Sequence, residues 1–112
     1  MKILLFVIFL LTSFCKFAFS DEHLDEQQII AMGDIEFGEY LGAECAACHH
    51  QAGISKGIPA INGMDAEVFV ALFLAYRAKE MENPVMQMIA GRLDDEQIGS
   101  LAIYYSKLDP PQ

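Results

Sequence analysis

Cys45-Ala-Ala-Cys48-His49-His50 puts two thiols and two imidazoles within a few consecutive residues. Three chemistries use such a cluster. A redox dithiol needs its cysteines at a helix N-terminus, where the helix dipole lowers the thiol pKa. Here the pair falls at the C-terminal end of a predicted helix, and no strand–helix–strand pattern surrounds it. A closed structural zinc site needs four ligands. No second cysteine pair is present, and His23 sits in a polar leader. Covalent haem attachment fits the spacing better. Cys45 and Cys48 would capture the two vinyl groups as thioethers, and His49 follows directly to serve as proximal iron ligand. His50, adjacent to His49, cannot reach the opposite haem face and reads as a surface residue.

A six-coordinate iron needs a second axial ligand, and methionine commonly fills that place. Met64, Met81, Met86 and Met88 lie downstream. Any methionine in a helical segment is ordinarily core filler. Met64 precedes the helix that must wall the pocket, and Met81 lies among Lys79, Glu80 and Glu82. Met86 follows Asn83-Pro84 on a short segment that returns across the site, sharing a face with Ile89 and Ala90. Met86 is the expected ligand, with Met88 as second candidate.

The elements that must position these groups are helical. Asp34 can cap a helix running through Ile35, Phe37, Leu41 and Ala43 toward Cys45. Gly38 and Gly42 weaken it by propensity but allow close approach of another element. The stretch from Gln51 to Met64, rich in glycine, reads as loop. Asp65 caps a second helix, through about Glu80, with Val68, Leu72, Ala75 and Tyr76 at helical spacing and apolar residues almost all round. Asn83-Pro84 opens a short helix that Gly91 ends. Asp94 with Gln97 forms a capping-box pattern for the last helix, 95–107, which Pro110-Pro111 stop. No strand signal is present. The expectation is an all-α fold with three main helices and a short one.

Residues 1–20 have Lys2 at the start, an apolar run from Ile3 to Leu11, and small residues at Ala18 and Ser20. This order describes a signal peptide, removed together with Cys15, and no stable membrane insertion is expected afterwards. Residues 21–33 read as a frayed acidic leader with a short helical turn near Leu24–Met32. Residues 34–112 form one small domain. Once Lys2 and Lys16 are gone, five of the seven basic side chains remain against sixteen acids. Such a surface repels nucleic acid and favours basic or neutral protein partners. With only Cys45 and Cys48 left, no disulfide framework can support the thin core of so short a chain. A buried cofactor would fill it.

"EYLGAECAACHH", "GIPAING" and "AYRAKEMENPVMQMIAGRLDDEQIGSLAIYYSKL" resemble the short class I cytochromes c of bacteria, and among them the cytochrome subunits of flavocytochrome c sulfide dehydrogenases. The resemblance runs from about Asp34 to Lys107. It implies the cytochrome c fold around one covalent haem c. Cys45 and Cys48 match the thioether cysteines, His49 the proximal ligand, and Met86 the distal methionine. Pro59 matches the proline whose carbonyl accepts the proximal imidazole's hydrogen bond. Leu101 and Tyr104 match residues packed against the first helix near Gly38 and Leu41. His50 departs from the usual glycine after the motif, and Met81 from a common arginine. The implied function is periplasmic electron transfer by an iron cycling between Fe(II) and Fe(III). The protein would be a soluble carrier or the haem subunit of a dehydrogenase, with redox proteins, including a flavoprotein subunit, as partners. It would not itself be an enzyme. Two alternatives stand beside this: a five-coordinate haem enzyme or gas sensor with an open distal side, and a secreted acidic interaction module without haem.

Overall fold

The computed structural model describes residues 23–112, and the expected signal peptide with Cys15 lies outside them. Among the described residues the chain is all-helical, with no strand: α1 (Glu26–Met32), α2 (Ile35–Ala46), a 3₁₀ helix (Gln51–Lys56), α3 (Ala66–Arg77), α4 (Pro84–Arg92) and α5 (Asp95–Lys107).

Side-chain caps start all five α-helices, each satisfying backbone N–H groups that have no partner inside the helix. Asp34 accepts from Phe37 N at 2.8 Å. Asp65 accepts from Glu67 N and Val68 N. Asn83 accepts from Met86 N at 3.0 Å, with Pro84 in the first turn, where its missing N–H costs nothing. Asp94 and Gln97 form the reciprocal box read from their spacing, at 2.8 and 3.0 Å.

Three expectations need correcting. The 21–33 leader is not simply frayed, because Asp25 and Gln28 build a second capping box and start α1. Its Ile29 is only 1% exposed. The short helix does not end at Gly91 but runs to Arg92. Gly91 takes no left-handed conformation, and the stop comes from extended Leu93, which leads into the Asp94 cap. Finally, α3 does not bury the face drawn through Val68. Phe69, Val70 and Phe73 are buried, while Val68 is 50% exposed. A helix apolar all round gives periodicity no means of choosing a face. The glycine-rich stretch after the cysteines also begins with the 3₁₀ helix before it becomes irregular.

α5 is the hub. It buries Ile98, Leu101, Ala102 and Tyr105, and it meets α1 and α2 where glycines remove the side chains between them. A Cβ on Gly33 would lie 2.5 Å from the Gly99 carbonyl carbon, and one on Gly38 would lie 2.8 Å from Tyr104 Cβ and overlap the Ser100 carbonyl. Buried Ser100 accepts from Asp34 N at 2.9 Å, so the α1–α2 corner is tied to α5 by a satisfied polar group. Tyr105 donates its hydroxyl to the Gly42 carbonyl at 2.8 Å. Its ring stacks on Phe69 with centroids 5.8 Å apart, and Phe69 stacks on Phe73 at 4.6 Å. A Gln27–Glu67 side-chain hydrogen bond joins α1 to α3.

Candidate functional site

The core does not close on itself. α2, α3, α4 and α5, with the loop around Pro59–Met64, surround a mostly apolar cleft of about 360 Å³. That volume lies in the range of small-molecule and cofactor pockets.

Cys45 sits on the last turn of α2 and is half-buried, whereas Cys48 is exposed just beyond it. The chain turns tightly there, since Cys48 N and His49 N both donate to the Cys45 carbonyl, at 3.2 and 2.9 Å. Both thiols are free, and both line the cleft with His49. The His49 Nδ1 atom lies 2.7 Å from the Pro59 carbonyl oxygen. A carbonyl only accepts, so Nδ1 carries the hydrogen, and in the neutral ring Nε2 is the nitrogen with a lone pair for a ligand. Pro59 is held in reach by the returning loop, where Ile58 N donates to Gly53 O at 3.0 Å. Gly53 is buried, and a Cβ there would lie 2.5 Å from the Cys48 carbonyl oxygen, so the loop packs directly on the cysteine turn. His50 makes no side-chain cap for the 3₁₀ helix that follows it and is exposed.

Met86, in the first turn of α4, reaches the cleft and is half-buried. Met88 is 57% exposed and does not line it. Met81 is also outside the cleft; its carbonyl accepts from Gln87 Nε2 at 2.8 Å. Met64, which sequence reasoning weighs and sets behind Met86 and Met88, also lines the cleft. Its position three residues after Ile61, also a lining residue, is the available signal. Phe69, Phe73 and Leu101 supply apolar wall, while Tyr104 packs on the Gly38–Gly42 seam as its C-terminal-helix position implies.

Electrostatics argue against a reactive dithiol. Burial pushes the Cys45 thiol above its ordinary value, and the nearby Tyr105 hydroxyl only partly opposes this. A redox dithiol needs the opposite shift. Burial likewise raises the Tyr105 phenol above its ordinary value. Among the described residues no group of three or more His, Cys, Asp or Glu is placed to hold a metal ion, and no helix is long and apolar enough to cross a membrane.

The donor set suits haem better than a bare ion. Two thiols and an imidazole stand along one part of the cleft, a thioether is offered from a different helix, and the surface between them is apolar. No protein-family model matches the chain, and no curated protein matches it significantly.

Proposed function

We propose that the chain is a class I cytochrome c with one covalent haem c, acting in periplasmic electron transfer as a soluble carrier or as the haem subunit of a dehydrogenase. The observation that carries this reading is the convergence on one apolar cleft of Cys45, Cys48, a Pro59-tethered His49 and, from α4, Met86.

When bound, the haem supplies one-electron Fe(II)/Fe(III) chemistry. The chain's residues do the rest. Cys45 and Cys48 would hold the porphyrin as thioethers. The Pro59 carbonyl fixes the His49 ring and raises its basicity as a ligand. Met86 would offer a soft sulfur to the iron from α4, a ligand type that favours the reduced state. Phe69, Phe73 and Leu101 exclude water from the cleft, and this lowers the reorganisation that accompanies a change of charge. Basic or neutral redox proteins, including a flavoprotein subunit, suit the acidic surface as partners. Haem attachment outside the cytoplasm would accord with the export signal read in residues 1–20.

A pyridine haemochrome spectrum of the purified protein tests for haem and for its thioether linkage. The ferric protein should also show the weak near-infrared charge-transfer band of methionine–iron ligation. That band is expected to vanish in Met86→Ala and to persist in Met88→Ala and Met64→Leu. Loss in Met64→Leu with retention in Met86→Ala would move the ligand to the loop. Absence of the band in the wild type would favour the five-coordinate enzyme or sensor.

A further inference from the structure

Arg92, in the last turn of α4, is the one lysine or arginine lining the cleft among the described residues. It lies exposed at the rim and makes no hydrogen bond or ion pair with any described residue. Arg77 provides the contrast. Its guanidinium is committed to Asp95 at 2.8 Å and to the Leu93 carbonyl at 3.5 Å. In so acidic a chain, a cation left unpaired beside an apolar cleft has no partner that the fold itself supplies.

The mostly apolar cleft carries charged groups of both signs among its lining. Glu44 lines it next to Cys45, and Gln97 lines it in the first turn of α5. Gln97 Oε1 is occupied by Asp94 N at 3.0 Å, which leaves the side-chain amide N–H groups to donate elsewhere. α5 runs from Gln97 past Leu101 to Tyr105, whose hydroxyl meets Gly42 one turn before Cys45. At about 1.5 Å per residue, Gln97 stands roughly 12 Å along α5 from Tyr105, a distance on the scale of a porphyrin. Haem carries its vinyl groups on one edge and two carboxylates on the opposite edge. Thioether linkage at Cys45 and Cys48 would therefore turn the carboxylates away from Glu44.

We propose that Arg92, assisted by the Gln97 amide, binds a haem carboxylate at the end of the cleft remote from the cysteines. This deepens the haem reading above and rests on it. The guanidinium forms a charge-assisted pair with the carboxylate that lysine cannot reproduce bidentately. Glu44 disfavours the reversed placement. Arg92 is thus a positioning residue: it neutralises the carboxylate and holds the porphyrin in register with His49 and Met86.

The test uses the haem-loaded protein and its Arg92→Gln, Arg92→Lys and Glu44→Gln variants. Arg92 makes no hydrogen bond or ion pair with a described residue, so its variants should fold, which near-UV dichroism checks. The direct readout is the carboxylate-bending band of the haem in the resonance Raman spectrum, with the midpoint potential alongside. Arg92→Gln should move the band to lower frequency and lower the midpoint. Arg92→Lys should move the band part-way while holding the midpoint closer to wild type, and Glu44→Gln should leave the band in place. An unmoved band in Arg92→Gln, even with a lowered midpoint, overturns the contact and leaves the haem reading standing. A wild-type protein without a haemochrome spectrum overturns both.

Discussion

Tyr105 links the aromatic core to the cysteine turn through its stack on Phe69 and its hydrogen bond to the Gly42 carbonyl. Its phenol is raised by burial first, with smaller contributions from Cys45 and Tyr104. The folded state therefore keeps a proton that the unfolded chain gives up above its ordinary value of 10.0. Stability from this group is fully present below that pH and declines above it, by up to about 1.4 kcal/mol per pH unit. Tyr105→Phe is expected to cost about 0.5–1.5 kcal/mol at pH 7, because the hydroxyl's hydrogen bond to the Gly42 carbonyl is lost, yet to flatten the alkaline decline. Urea melts at pH 7 and above pH 10 check both halves; equal alkaline slopes in the two proteins would refute the second. The convergence of Cys45, Cys48, His49 and Met86 on one cleft is legible in the sequence because the signals are local. The spacing of Cys45, Cys48 and His49 lies within one turn of chain, and Met86 follows an unmistakable helix start. Met64 and Tyr105 are not legible in these roles, since each acquires its place from elements distant in sequence.

At the scale of elements, the caps can be read and the seams only in part. Asp34, Asp65, Asn83-Pro84 and Asp94 announce their helices through short-range hydrogen bonding, which spacing encodes directly. Gly38 and Gly42 suggest close approach but do not say to what. α1 reads as frayed because it is short, acidic and polar on most sides; its burial depends on Gly33 and Gly99 meeting across the fold. The seams make a paired prediction. Gly38→Ala forces a methyl group into the Ser100 carbonyl and Tyr104, and should destabilise the protein by about 1–3 kcal/mol or more. Gly91→Ala meets nothing within 4 Å in an exposed part of α4, and should stabilise by about 0.5–1 kcal/mol through helix propensity. Thermal melts of the two variants should move in opposite directions. A Gly38→Ala protein as stable as wild type would mean that α2 and α5 do not pack in backbone contact.

At the largest scale, the described residues form a helical shell around a gap. A cleft of about 360 Å³ leaves the apolar side chains that line it without packing partners on one side, in a domain of the kind held together by only roughly 5–15 kcal/mol. Filling that gap is accordingly a folding matter as well as a functional one. The Cys45→Ala, Cys48→Ala double variant should lose near-UV dichroism from its aromatic stacks, and native-like dichroism would contradict the proposed role of haem as core. The placement of α5 carries a further consequence, for synthesis. Ile29, Gly38, Gly42 and Phe69 all find partners on this helix, which follows the other described helices in chain order. The earlier helices cannot complete their packing until α5 has been made. A nascent chain built in this order keeps the seam faces of α1, α2 and α3 open through the synthesis of four helices and closes them in one late step.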